Sequence, residues 1–136
     1  MEMAYRQGMP CTIENPSMSR LWITPHANRV FRHCHPAQIV THMCQWGTRW
    51  MKPTRLWGVR ADLAPLERRC RMSAKCCSAS WRPHFVLCGT NADGSFRTRQ
   101  AQEYPWRFCH ALAKCLDDAF QCRKAKQISG LLKERL

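Results

Sequence analysis

The cysteine content of this chain is the feature that most constrains its fold. Ten cysteines occur among 136 residues, and an even number in a short secreted chain would predict a disulfide framework. Residues 1–12 contain no basic start followed by an apolar run, so no secretory signal peptide is expected there. We therefore expect an intracellular, reducing location, the nucleus if the cell is eukaryotic, with most thiols reduced.

Reduced cysteines act either as small hydrophobic side chains or as metal ligands. No Cys-x-x-Cys pair occurs in the sequence, which argues against a standard zinc finger or zinc ribbon. The densest group of candidate ligands comprises Cys70, Cys76, Cys77, His84 and Cys88. From it we predict a zinc site formed by Cys70, Cys77, His84 and Cys88. The alternative interpretation is a set of buried or exposed thiols around a turn.

The charge of the chain favours a polyanionic partner. Twenty-two basic residues against nine acidic ones give a net charge of +13, for which DNA is the first candidate. A codon or solvation bias is the alternative explanation. An apolar content of 45% and six tryptophans exclude a disordered basic tail. No stretch reaches the roughly 18 consecutive apolar residues of a membrane span, so no membrane partner is expected.

Strand and helix signals alternate in the first half of the chain. Residues 11–13 predict a short strand. Thr24 is predicted to cap a helix that starts at Pro25. Residues 38–44 are rich in β-branched side chains and predict a strand, and residues 54–59 predict a further strand antiparallel to it.

The second half begins with an irregular, basic stretch over residues 60–83. Residues 84–88 predict a short strand. Pro105 is predicted to open a long helix that runs to about residue 126, because apolar side chains recur there at helical spacing. Gly130 is predicted to end that helix before a charged-apolar tail. This order fits the second half of an α/β sheet better than a self-contained small fold.

Three segments carry a resemblance when they are taken together. They are Ile13-Glu14-Asn15-Pro16 with the residues to Trp22, the loop and strand over residues 44–58, and residues 101–109 leading into a helix. In this order they resemble the C-terminal half of cytosine-5 DNA methyltransferases, in particular the divergent phage and mobile-element-like branch. The resemblance spans residues 10–116.

The resemblance implies an α/β fold, a partial class I methyltransferase-like sheet. About three or four strands are expected, one of them an antiparallel edge strand, with a basic irregular insert and a C-terminal helix. The corresponding regions are residues 1–59 for the sheet, 60–100 for the recognition-like insert and 101–136 for the C-terminal helix and tail.

The resemblance gives catalytic roles to Glu14 and Asn15. The family's glutamate contacts the pyrimidine ring of a flipped cytosine and helps to protonate the ring nitrogen, and Asn15 would hold the turn. The alternative is a polar turn at the end of a strand. Met9-Pro10-Cys11 looks like the family's Pro-Cys loop, but it lies three residues before Glu14, whereas the nucleophile should come from a separate, earlier strand. Cys11 is therefore not expected to act as nucleophile.

The resemblance also implies a nucleic-acid contact by the loop that carries Arg49, Lys52 and Arg55. The common family pattern there is Gln-x-Arg-x-Arg, and only Lys52 keeps the charge at the arginine positions. A solvated basic loop is the alternative. Within the insert, Trp81 beside Arg82 is predicted to stack on a base or a sugar, unless Trp81 belongs to the core. Between residues 49 and 107, twelve basic residues against four acidic ones concentrate a charge of +8.

The family's cofactor loop and Pro-Cys nucleophile have no counterpart in this sequence. S-adenosylmethionine, the family's cofactor, is therefore not expected to bind this chain alone. The leading hypothesis is a DNA-binding methyltransferase fragment that is catalytically incomplete without a complementary N-terminal half. The alternatives are a small zinc-stabilised nucleic-acid-binding module and a degenerate product without defined activity. A thiol enzyme built on Cys34 is disfavoured, because its neighbours His33 and His35 would point away from it.

Overall fold

The structure, a computed structural model, describes residues 1–72 and 76–133. Residues 73–75 of the predicted insert and residues 134–136 of the predicted tail lie outside the described residues. The main elements are α1 (Glu2–Arg6), β1 (Cys11–Pro16), α2 (Pro25–Cys34), β2 (Ala37–His42), β3 (Pro53–Val59) and α3 (Trp106–Lys133). Short 3₁₀ helices lie between them at Arg20–Ile23, Met43–Trp46, Ala64–Leu66 and Arg97–Ala101.

The strands form one open sheet in the order β1-β3-β2, and β3 runs antiparallel to both neighbours. The structure combines helices with a sheet, and its three strands agree with the predicted number. The antiparallel strand, however, is the central strand of the sheet and not an edge strand. The lengths of the connections explain this. The short link over residues 43–52 allows the chain to reverse between β2 and β3, whereas β1 and β2 are joined through α2 and run parallel with β3 between them.

The two faces of the sheet bury different clusters, because successive strand residues point to opposite sides. On one face Trp57 packs against Trp22 and Ala27, the latter in α2. On the other face Leu56 and Phe108 belong to the largest cluster, against which the first turns of α3 pack. The sheet is therefore covered by α2 on one side and by α3 on the other.

The start of α2 follows the predicted capping pattern. The Thr24 hydroxyl accepts a hydrogen bond from the backbone N–H of Ala27 at 3.2 Å, and Pro25 is the first helical residue. The helix ends at Cys34 and is capped by His35, which adopts a left-handed conformation with φ of 44°. The predicted helix is confirmed.

Gly58 in β3 is required by a close approach. A Cβ atom at this position would lie 2.6 Å from Cδ1 of Leu63, which is only 1% exposed. The chain after β3 therefore folds back tightly over the strand, and this brings Leu63 and Leu66 into the core below α3.

One predicted strand and one predicted helix end are wrong. Residues 84–88 are not a strand: they are irregular, and the Phe85 N–H donates to the carbonyl oxygen of Arg49 at 2.8 Å. Gly130 does not end α3, which continues to Lys133, because one glycine costs a helix only about 1 kcal/mol. Among the helices that the structure describes, none is long and apolar enough to cross a membrane.

Candidate metal centre

Four potential ligands converge beside the end of β2. The sulfur atoms of Cys44, Cys70 and Cys77 and a ring nitrogen of His84 all lie within 4.8 Å of one another. In a tetrahedral site with zinc–sulfur bonds of about 2.3 Å, neighbouring sulfurs are about 3.8 Å apart. Closure of the four atoms around one ion therefore requires shifts of about 1 Å or less. We call these four residues the candidate metal centre.

The structure brings together three of the four ligands predicted from the sequence and replaces the fourth. Cys88 is exposed and lies outside the group, and its place is taken by Cys44. Proximity in sequence misled the prediction, because Cys44 precedes Cys70 by 26 residues. The available signal was its position as the last residue of a predicted strand, where a chain commonly turns.

The fold of the sheet positions Cys44 and Cys70. Cys44 lies in the turn that follows β2 and is 3% exposed. The chain before Cys70 runs beside the end of β2, where the His42 N–H donates to the carbonyl of Arg68 at 2.8 Å. The backbone N–H of Cys70 in turn donates to Nδ1 of His42 at 3.1 Å. These bonds hold Cys70 against the end of β2, and Cys44 lies in the turn that directly follows that strand.

A tight turn over residues 77–82 positions Cys77. The Cys77 N–H donates to the carbonyl of Arg82, and the Trp81 N–H donates to the carbonyl of Cys77, both at 2.9 Å. The N–H of Ala79 also donates to the Cys77 sulfur at 3.4 Å. Backbone N–H groups of the turn thus point toward the sulfur of Cys77, the first residue of the turn.

Hydrogen bonds favour the thiolate form of two of the cysteines. Burial alone would raise the pKa of Cys77, but hydrogen bonds from Ser80, Ala79 and His84 outweigh it and lower the pKa to about 6. Burial likewise opposes the bonds from Ser78 at Cys70, whose pKa is lowered overall. Thiolates are the form that binds metal, so the turn prepares both ligands for a cation.

The environment of Cys44 is different. Burial raises the pKa of the Cys44 thiol to about 12, although the side chain of Gln45 acts in the opposite direction. The Gln45 amide group lies between two of the ligands: its Nε2 is 3.6 Å from the Cys44 sulfur and 3.8 Å from the Cys77 sulfur. A cation at this site would have to displace the Cys44 proton.

Arginines surround a cavity beside the candidate metal centre. This cavity of about 650 Å³ is lined by Gln45, Glu67, Arg68, Arg69, Arg71 and Ser78. Arg69 forms an ion pair with Glu67 at 2.9 Å, and Arg68 lies over the ring of Trp46 at 3.9 Å. The cavity therefore combines the polar surroundings of the metal ligands with an excess of positive charge.

The other predicted nucleic-acid contacts occupy separate places. Trp81 is 74% exposed, so it does not belong to the core, and Arg82 beside it is also exposed. Arg49 is exposed and Lys52 is partly buried. The guanidinium of Arg55 lies 5.5 Å from the Trp22 ring, on the α2 side of the sheet. The three basic residues of the loop over residues 44–58 thus do not converge.

A second polar cluster surrounds Glu14 on the α3 side of the sheet. Glu14 is the partner of Leu56 in β3, and its carboxylate accepts a hydrogen bond from the Tyr104 hydroxyl. The Lys52 ammonium lies 4.2 Å from the centre of the Tyr104 ring and donates to the carbonyl of Ala101 at 2.8 Å. Asn15, one residue further along β1, points to the opposite face of the sheet.

Burial governs the protonation of this second cluster. Burial lowers the pKa of Lys52, and the charge of Glu14 opposes that effect. Burial and the hydrogen bond to Glu14 together raise the pKa of Tyr104. Tyr104 therefore remains a neutral hydrogen-bond donor that covers Glu14.

Comparison of the chain with protein-family models, with curated proteins and with solved structures found no match.

Proposed function

We propose that this chain is a small nucleic-acid-binding module stabilised by zinc. The observation that carries the proposal is the convergence of three cysteines and one histidine within 4.8 Å. Three thiolates and one imidazole are a standard ligand set of structural zinc sites. With four protein ligands, a tetrahedral ion has no open position for substrate, so the metal holds the fold and does not catalyse.

An ion is needed because few buried side chains stabilise the basic insert. We call residues 67–96 the metal-anchored segment. Among its described residues, Cys77 is the one that is buried. A segment without an apolar core depends on ligands or hydrogen bonds for its order, and structural zinc supplies that order in small domains.

The charge supports nucleic acid as the partner. The chain carries +13 overall, and the cavity beside the candidate metal centre is lined by Arg68, Arg69 and Arg71. Arginine forks suit phosphate groups, and contacts of this kind supply most of the non-specific affinity for nucleic acids. These basic residues belong to the same segment as three of the four metal ligands, Cys70, Cys77 and His84.

Metal analysis of the purified chain tests the metal part of the proposal. We expect one zinc ion per chain, and cobalt substitution should give the thiolate charge-transfer absorption of a tetrahedral site. Cys44→Ser and Cys77→Ser should each lose this signal. Cys88→Ser is the matched control and should retain it, because Cys88 lies outside the group. Full metal content in both ligand variants would overturn the site.

A binding titration tests the nucleic-acid part. The zinc-loaded chain should bind a labelled oligonucleotide with an affinity that falls steeply between low and moderate salt, because bound phosphates release counterions. Binding that is absent, or that does not respond to salt, would overturn this part of the proposal. The metal content of the same preparation shows separately whether the zinc site is present.

A fragment derived from a cytosine-5 DNA methyltransferase is the second candidate. The observation that favours it is the contact of Glu14 with Tyr104, with Lys52 directly beside the same ring. Glu14 thus lies near Lys52, one of the three basic residues for which the resemblance implies a nucleic-acid contact. Under this proposal the chain needs a complementary N-terminal half for cofactor and nucleophile. Methyl transfer to DNA by this chain alone, with S-adenosylmethionine, would contradict the proposed incompleteness.

A further inference from the structure

One exposed tryptophan lies in the turn that begins at a ligand of the candidate metal centre. Trp81 is 74% exposed and closes the turn that begins at the ligand Cys77. Its φ of 57° is unusual for a bulky residue and costs about 1–3 kcal/mol in general. Two hydrogen bonds across the turn maintain this conformation, one from the Trp81 N–H and one to the carbonyl of Arg82.

The turn that carries Trp81 is connected to the arginine-lined cavity. Ser78, three residues before Trp81, lines the arginine-rich cavity. Its hydroxyl accepts a hydrogen bond from the backbone N–H of Arg71 at 3.2 Å, and its own N–H donates to the Cys70 sulfur at 3.3 Å. The turn, the arginine segment and a metal ligand are thus tied to one another.

We infer that the turn over residues 77–82 is a platform on which Trp81 stacks an unpaired base, while the adjacent arginine-lined cavity takes the phosphate backbone. This inference rests on the proposed nucleic-acid function and narrows it to single strands. The faces of bases in a duplex are covered by their neighbours, whereas an unpaired base offers its face to an aromatic ring. Because the backbone that carries the ring is already fixed by the hydrogen bonds across the turn, only side-chain freedom of Trp81 is lost on binding.

The chain offers a matched control for this platform. Trp106, at the start of α3, is 73% exposed, nearly the same fraction as Trp81. Its ring contacts His110, and it belongs to a helix that carries no ligand of the candidate metal centre. A comparison of Trp106→Ala with Trp81→Ala therefore separates the effect of losing any exposed tryptophan from the effect of losing the platform.

The experiment measures fluorescence anisotropy of the zinc-loaded full chain with labelled oligothymidylate and with a mixed-sequence duplex of the same length. We expect tighter binding to the single strand. Trp81→Ala should weaken that binding between about 5-fold and about 150-fold, the range of one base–aromatic stack. The affinity for the duplex should stay unchanged, and Trp81→Phe should retain most of the single-strand affinity because a ring remains.

Several results would overturn the inference. Equal losses for Trp106→Ala and Trp81→Ala, equal losses of Trp81→Ala on both probes, or no loss at all would remove the stacking platform. Salt-dependent binding by the parent chain would in those cases still support the nucleic-acid function. Absence of salt-dependent binding to either probe would overturn both the inference and that function.

Discussion

The body of the protein, residues 1–66 and 97–133, and the metal-anchored segment of residues 67–96 are stabilised in different ways. The body buries large side chains on both faces of its sheet, with Leu56 and Phe108 almost completely enclosed. Among the described residues of the segment, only Cys77 is buried. Hydrophobic burial accounts for the body, whereas the segment is held by backbone turns and, under the proposed function, by metal ligands.

Because the two regions are stabilised differently, each should respond to a different kind of substitution. A change in the core acts on the helices and the sheet, whereas loss of a ligand acts first on the segment. Cys44 is the exception, because it belongs to the body and points into the candidate metal centre. The two regions meet at this residue and at the end of β2.

Metal removal should have the largest effect, and it should act on one region alone. After chelation of the zinc, we expect amide hydrogens of the segment to lose most of their protection, while those of β3 retain theirs. The reason is that binding energy of structural zinc, about 10–16 kcal/mol in isolated zinc-finger peptides, is also folding energy. Hydrogen exchange with mass spectrometry measures both regions at once. Equal loss of protection in both would contradict the division.

A cavity in the core should have the next largest effect and should act on the body. Phe108→Ala is expected to lower the free energy of unfolding by about 3–5 kcal/mol, because Phe108 is 2% exposed and packs edge-on against Trp46. Phe96→Ala is the matched control. Phe96 is 70% exposed and lies in the segment, so its loss should stay within about 0.5 kcal/mol.

Urea unfolding followed by circular dichroism compares these two phenylalanine variants. Similar midpoints for both would show that the apolar cluster under α3 contributes little, and the proposed difference between the regions would then fail.

Overpacking beside β3 should have an intermediate effect. Gly58→Ala is expected to destabilise the body by about 1–3 kcal/mol, because its Cβ would approach Cδ1 of Leu63 to about 2.6 Å. Leu63→Ala makes room for the added methyl group. The double variant should therefore be more stable than the sum of the single effects predicts, as a double-mutant cycle measures. Simple additivity would show that the two residues do not meet.

The smallest expected effect concerns the cluster around Glu14, which lies in the body and not in the segment. Tyr104→Phe removes the hydroxyl that donates to Glu14 and should cost about 1 kcal/mol near neutral pH. The pKa of Tyr104 is raised in the folded protein, so folding favours the neutral phenol. That contribution is fully present below about pH 10 and is lost as the pH rises further.

Tyr104 and Tyr5 are the two tyrosines of the chain, which makes this prediction measurable. In a Tyr5→Phe variant, the absorbance of tyrosinate reports Tyr104 alone, and its midpoint should lie above the ordinary value of about 10. A midpoint at or below that value would contradict the burial of the cluster.

The regular elements of the body could be predicted because their signals are local. The Thr24-Pro25 pair encodes the start of α2 within four residues, and the helical spacing of apolar residues encodes α3. The order of the strands could not be read in the same way. Whether β3 pairs on one side or on both depends on contacts between distant parts of the chain.

The candidate metal centre was predictable only in part. Cys70, Cys77 and His84 follow one another at intervals of seven residues, and these three were predicted correctly to converge. Cys44 was missed because its partnership is tertiary: the end of β2 brings it to the cluster. The aromatic and branched residues around Phe85 resemble a strand, but no neighbouring strand among the described residues pairs with them.

A segment whose order rests on so few side chains has wide freedom elsewhere in its sequence. In residues 67–96 the candidate ligands recur at every seventh position, and most of the described positions between them are exposed. Variation at those exposed positions changes what the segment presents to a partner without changing how it folds. Such a region can diversify quickly in evolution, and it can serve as a framework for displaying new loops on an unchanged body.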